Sequence, residues 1–415
     1  MKKMLSALLL FLISLTAQAG DTMTLQNGVK FTVIERPFTD TVSVSIFVKG
    51  GLFRENAQNN GIGALTASVW VKGSQMLREM EFYGGSIGAG QSTDAFELAF
   101  SSTAEYFDKA VELFEPFFFA PKFDHEVYER EKNILLEEIK AVQDDPSSLS
   151  FRNFMKLTYK GTPYALSVEG SEDTVEGLSL EELSQFYNVI FQGANTSVTV
   201  AGKIDKQQIE KLKSIFSKMP AGKEFTPNCN FPILESPVFY EDTDPRTQQA
   251  KLYVGYEAPS ASDPLYASVK VISDILGGGM SSRYFTEMRK NRGYAYSVGA
   301  FYPSRICKSR FVGHIGLEYS NVTEAIKTME EINKTFIETL DDKELTKVKN
   351  FMLGKLLIET ESNSRQAWYA NFFQNVGLGS GYLKKYIEDI KEVDKKSIKK
   401  ASELFNAPTT VYILK

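Results

Sequence analysis

The two halves of this 415-residue chain close in the same way. Residues 175–183, VEGLSLEEL, lead through a helical stretch into residues 195–201, NTSVTVA. Residues 390–398, IKEVDKKSI, lead through another into residues 407–414, APTTVYIL. Earlier in each half a strand runs on to a helix: residues 44–48 in the first, and residues 252–256, LYVGY, followed by 264–276 in the second. A strand–helix–strand unit present twice leaves few folds open. Each copy needs a sheet with helices packed on it, so the expected fold is α+β, with two homologous domains. Each domain is a mostly antiparallel sheet covered by helices. The length agrees, because one core rarely serves so long a chain. The expected division is residues 20–220, a linker at 221–237, and residues 238–415. Pro227, Pro232 and Pro237 keep the linker out of helix and sheet interiors.

Residues 1–19 stand apart. Lys2 and Lys3 precede an apolar run over residues 5–15, and Ala17-Gln18-Ala19 is a small-residue cleavage site, the pattern of a signal peptide. The run is short for a bilayer span, and no later run is long and apolar enough, so membrane insertion is not expected. No cysteine near the cleavage site offers a lipid anchor. The expectation is an exported, periplasmic protein. Losing the two lysines takes the formal charge from −5 to −7, which leaves no electrostatic footprint for nucleic acid. Cys229 and Cys307 are the only cysteines. They can pair in an oxidising compartment or stay as buried thiols, and the sequence leaves both open.

Residues 277–302, GGGMSSRYFTEMRKNRGYAYSVGAFY, carry the most chemistry. A helix is expected over residues 281–290, with Gly293 in the left-handed position that ends it. An alternating strand follows through Tyr294, Tyr296, Val298 and Ala300. Arg289 in the last turn and Tyr296 early in the strand can converge on one space and donate hydrogen bonds to a peptide carbonyl or its oxyanion. The bland reading of the same residues is a helix-end arginine favoured by the macrodipole and an ordinary strand tyrosine. The triple glycine lacks the Gly-Lys-Ser/Thr ending of a phosphate loop.

Over these residues the chain resembles the pitrilysin/insulinase-type zinc metallopeptidases, closest to their mitochondrial-processing-peptidase-like bacterial branch. The resemblance covers nearly the whole mature chain. It implies that the two domains form half of a clamshell chamber. It also implies that Arg289 and Tyr296 bind substrate backbone near a catalytic zinc held by the other kind of domain. That zinc is held in the family by His-x-x-Glu-His, two histidines gripping the metal and the glutamate activating water. Residues 61–72 here read GIGALTASVWVK, with Ala64, Ala67 and Ser68 at the three positions. The chain has only two histidines, His125 and His314, so the motif cannot be written anywhere in it. Both histidines are expected at the surface or in packing.

A helix is expected over residues 126–142, with Val127, Glu131, Ile134, Leu135, Glu138 and Val142 on one face. Glu138 matches the family's third zinc ligand and Glu131 the carboxylate behind it. On a packing face they need a lysine, an arginine or water to meet them; solvated helix charges are the other reading. Residues 84–89 and the strand to Phe100 resemble the family's substrate-pairing edge strand, although Gly88 stands where the family has asparagine. An ordinary glycine-punctuated strand is the alternative. Residues 321–358 and 363 onward read as sheet-covering helices with solvated outer faces.

The expectation that follows is a non-catalytic, substrate-binding subunit of a heteromeric zinc metalloendopeptidase. It would bind no metal itself, complete the active site of a zinc-bearing homologue and handle unfolded peptides. The alternative is a peptide- or protein-binding scaffold with no catalytic role.

Overall fold

The computed structural model describes residues 20–415; the expected signal peptide lies outside the described residues. The first sheet has six strands: β1 (Asp21–Thr24), β2 (Lys30–Glu35), β3 (Thr41–Lys49), β4 (Ser86–Gln91), β5 (Ala95–Thr103) and β6 (Thr196–Gly202). Their order is β1-β2-β6-β3-β5-β4, with only β2 and β6 parallel. The second has β7 (Val238–Asp242), β8 (Ala250–Ala258), β9 (Ala295–Phe301), β10 (Ser309–Leu317) and β11 (Thr409–Leu414). Its order is β7-β11-β8-β10-β9, with only β7 and β11 parallel. One parallel pair, made by the closing strand of each half, stands at the same place in both sheets. The duplication seen in the sequence is therefore a duplication of topology.

The repeated closing segments are matched locally as well. Ser179 caps the helix Leu180–Ile190 and Asp394 caps Lys395–Ala401, each through a reciprocal capping box. Leu178 and Val393 just before those caps are both buried. Each domain has its own apolar core. In the first, Trp70 stacks on Phe117 at 4.4 Å and lies edge-on to Tyr187 and Phe191. Its indole N–H donates to the Phe117 carbonyl, which satisfies the one polar atom it takes into the core.

The domains also exchange helices. Asn363–Asn375 belongs to the second half by sequence but packs on β3 and β6 of the first sheet. Ala367 and Ala370 allow close approach to Ile34 and Ala201. Asn371 donates to the Ser45 carbonyl at 2.8 Å and accepts from Thr199 Oγ1 at 2.7 Å. Asn363 likewise donates to the Thr41 carbonyl and accepts from Arg36. Asn363 and Asn371 thus hydrogen-bond to strands of the first half rather than face solvent, which corrects the expected solvated outer face. It also explains why β3 is buried on both sides.

In return, Pro146–Thr158 of the first half covers the second sheet. Phe154 packs with Val312, Tyr412 and Leu414 and stacks on Tyr253 at 5.2 Å. A Cβ at Gly255 would come within 2.8 Å of Phe154 Cζ, so glycine makes room for the ring. Buried Arg310 donates to the Thr158 carbonyl at 2.9 Å and fixes the end of the same helix.

Residues 220–237 form neither helix nor strand. Asn195 clamps them through the Lys223 carbonyl and the Phe225 amide. Cys229 is disulfide-bonded to Cys307 in the turn after β9, which decides the open alternative for the two cysteines. A crosslink across 78 residues contributes roughly 4 kcal/mol in the chain-entropy account.

Candidate functional site

The helix Ile62–Lys72 carries Ala64, Ala67 and Ser68. Its N-terminus has no side-chain cap of its own, since Gly61 stands there in the left-handed conformation. Glu55 supplies the acceptor instead. Its carboxylate receives the amides of Gly61 and Gly63 and the side-chain N–H groups of Asn60 and Gln91, at 2.8–3.1 Å. Burial pushes its pKa above the ordinary carboxylate value, against the opposing pull of those four donors. Sequence reasoning missed Glu55. The available signal was an acid shortly before a glycine-flanked helix with no capping residue.

Ala67 is buried and Ala64 and Ser68 are half-buried. Positions 64, 68 and 72 are one turn apart, so Lys72 extends the stripe on which the family has its histidines. Its ammonium meets Glu131 at 2.7 Å, and Arg130 meets the other carboxylate oxygen at 3.1 Å. Glu131 is only 2% exposed. The expected packing face of the helix His125–Asp144 is rotated. Its buried residues are Tyr128, Glu131, Leu135 and Ile139, while Ile134 and Glu138 are exposed. The two glutamates are therefore not partners on one packed face, and Glu138 needs no cation to balance burial.

These residues do not fit zinc. Two methyl groups and one hydroxyl replace the nitrogen and carboxylate donors, and Glu131 is already held by two cations. Among the described residues, no three His, Cys, Asp or Glu side chains are grouped to hold a metal ion. His125 is exposed beside Glu129. His314 is packed near the Tyr253 and Phe301 rings, where burial lowers its pKa.

The second-domain corner is built differently. The expected helix over residues 281–290 begins at Arg283 and becomes a π-helix over Phe285–Asn291. The Arg292 amide reaches back five residues to Glu287, and the Tyr294 amide spans Gly293 to reach Met288. Gly293 has φ 66°, the left-handed conformation its position calls for. Buried Tyr284 and Met288 anchor the inner side, and Arg283 grips Glu344 with two nitrogens at 2.8 and 2.5 Å. Gly277 is explained by packing: a Cβ there would collide with the backbone of Ala300 in β9.

Arg289 and Tyr296 are brought together on the outer side. Arg289 Nη1 donates to the Tyr296 carbonyl at 2.8 Å. Its guanidinium carbon lies 5.4 Å from the Tyr296 ring centroid and 5.0 Å from that of Phe285. Tyr296 is 78% exposed. Among the described residues, no first-domain side chain stacks on or hydrogen-bonds to either of them. The corner thus leaves guanidinium N–H groups and a phenol exposed to solvent. Tyr296 stands on β9, which pairs only with β10; β4, with Gly88, is the corresponding edge of the first sheet and pairs only with β5.

Residues 30–172 match the insulinase family, peptidase family M16, and residues 177–352 match the peptidase M16 inactive domain. An uncharacterized zinc protease, YmxG, of Bacillus subtilis is 25% identical over 351 residues, 82% of this chain and 84% of its own length. A protein of Helicobacter pylori named non-peptidase homolog YmxG is 26% identical over 390 residues, 89% of this chain and 86% of its own. The mitochondrial-processing peptidase subunit beta of Saccharomyces cerevisiae is 24% identical over 283 residues, 65% of this chain and 60% of its own. In fold, the chain is similar to a crystal structure of a peptidase M16 inactive domain from Pseudomonas fluorescens. The TM-score is 0.87 at 18% identity, over 96% of this chain and 98% of that one.

Proposed function

This chain belongs to the insulinase family, peptidase family M16, and from that premise we propose that it is the substrate-binding, non-catalytic subunit of a heteromeric zinc endopeptidase. The observation that carries the proposal is the contrast between its two sites. Lys72 and Arg130 close the first around Glu131, while Arg289 and Tyr296 stand assembled and exposed in the second. In this reading a homologue with an intact His-x-x-Glu-His holds the zinc. The two chains close a chamber on an unfolded peptide, and Arg289 and Tyr296 donate hydrogen bonds to its backbone carbonyl.

Relatives named as a non-peptidase homolog and as a peptidase subunit support the division of labour. Export to the periplasm belongs to the same proposal. It is supported by the first 19 residues and by a disulfide, which persists in oxidising compartments. No helix among the described residues is long and apolar enough to cross a membrane.

The test is co-purification of the mature chain from its own periplasm, with zinc and peptidase activity measured on the eluate and on the isolated chain. A homologous partner bringing both zinc and activity is the expected result. An inactive, zinc-free complex with an unrelated protein would replace this proposal with the scaffold reading.

A further inference from the structure

The disulfide between Cys229 and Cys307 joins two unlike ends. Cys307 is only 1% exposed and sits in a cluster with Tyr159, Tyr164 and Phe231. Two amides hold its turn to the first half. Ile306 donates to the Asp94 carboxylate at 3.1 Å, and Cys307 donates to the Tyr164 hydroxyl at 3.2 Å. Tyr164 in turn donates to Asp94 at 2.5 Å. This end is held with or without its sulfur bridge.

Cys229 is exposed, on a stretch that is neither helix nor strand. The hydrogen bonds around it are local: the Asn230 amide donates to the Asn228 side chain, and the Phe231 amide to the Cys229 carbonyl. Among the described residues, no hydrogen bond or ion pair ties residues 226–236 to the rest of the chain. Apart from the disulfide, the buried anchor of this stretch is Phe231, stacked on Phe53 at 6.3 Å and edge-on to Tyr164 at 5.3 Å. Both of those rings belong to the first half, whereas Cys307 belongs to the second. The stretch is thus a strap across the two domains, fastened by one ring and one exposed sulfur. Disulfides that a thiol can reach are the labile and regulatory ones.

We propose that Cys229 is a thiol-exchange site, through which a dithiol releases residues 226–236. One thiolate of the dithiol attacks the Cys229 sulfur. The bond to Cys307 breaks, and its electron pair leaves on the Cys307 sulfur, which takes up a proton. The second thiolate then attacks the dithiol's own sulfur in the mixed disulfide, and Cys229 leaves as a thiol. The protein gains two electrons and two protons, and the dithiol is oxidised to a disulfide. The strap keeps only Phe231 as its buried anchor, while the Cys307 turn stays on Asp94 and Tyr164. The proposal does not rest on the subunit role, since it concerns this chain alone.

Brief treatment of the folded mature chain with 2-mercaptoethanol, acid quenching and peptide mapping tests the site of attack. The adduct should be on Cys229; an adduct on Cys307, or none short of unfolding, overturns the proposal. A glutamate-specific protease tests the release, because Glu235 is exposed within the strap. Cleavage after Glu235 should speed up about tenfold or more on reduction with dithiothreitol, with the other glutamates unaffected. Cys229→Ser should be cut there as fast as the reduced wild type, and dithiothreitol should no longer change the rate. Equal rates for oxidised and reduced wild type overturn the proposal. So does acceleration at every glutamate alike, which is global unfolding, or a dithiothreitol effect that persists in Cys229→Ser.

Discussion

The helix Ile62–Lys72 and the corner from Phe285 to Tyr296 occupy different domains of one duplicated fold, and they treat their polar groups in opposite ways. In the first, buried Glu131 is bound by Lys72 and Arg130, and Glu55 receives the orphan amides at the helix start. In the second, the backbone takes an uncommon π-helical turn and leaves Tyr296 exposed above Arg289. Internal pairing of that kind stabilises a fold. An exposed aromatic held beside a guanidinium on a π-turn does little for stability, and such turns recur at functional sites. The first region spends its polar groups on internal pairing, while the second leaves Arg289 and Tyr296 open to solvent.

The comparison requires that both regions ride on one folding unit. Phe154→Ala removes the ring that the first half inserts against the second sheet. It should cost about 3–5 kcal/mol and lower a single unfolding transition, read by calorimetry. Two separated transitions would break the comparison, because the domains would then be independent.

A smaller effect sharpens it. Lys72→Met should cost about 1–3 kcal/mol by leaving Glu131 with Arg130 alone; the figure is modest because Lys72 is partly exposed. Adding Glu131→Leu should recover much of that loss, as replacing both members of a buried pair often does. If denaturant titration shows no loss in the single variant, the ion pair is not what closes the first region.

The smallest expected effect is on the pH dependence of stability around Lys270. Burial lowers the Lys270 ammonium to about 8. Its folded value lies below its unfolded one, so its contribution to stability is complete above about pH 10.5. That contribution is lost as the pH falls through about 8. The groups around it are Asp274 on its own helix, Arg305, Lys355 and the Tyr302 carbonyl. Stability in denaturant titration should therefore rise between about pH 8 and about pH 10, and Lys270→Met should flatten that rise. A flat wild-type stability profile would contradict the burial of the Lys270 ammonium.

Much of the fold was legible because repeats and turn chemistry are local. The matched closing segments announced two similar sheets, and Gly293 announced the corner. The exchange of helices was not legible. Asn363, Asn371 and Asn375 look like solvent-facing polar residues until strands from the other half are placed beside them. The face of His125–Asp144 was legible only in part. Glu131 is buried and met by Lys72 and Arg130 as a packing-face carboxylate requires, but Ile134 and Glu138, placed on the same face by periodicity, turn outward. The absence of zinc donors at Ala64, Ala67 and Ser68 needed no structure at all. The pairing of Arg289 with Tyr296 could be suspected from spacing, but the π-turn that carries it leaves no clear mark in the sequence.

The central claim is that the chain's surviving chemistry lies in Arg289 and Tyr296. The direct measurement is peptide turnover by the proposed complex with a zinc-bearing homologue, comparing wild type with Arg289→Ala and Tyr296→Phe. Turnover should fall about 10²-fold or more in each. Because both side chains are exposed, chain stability should stay within about 0.5 kcal/mol and the complex should still form. Undiminished turnover in both variants would contradict the account, as would hydrolysis by the wild-type chain on its own.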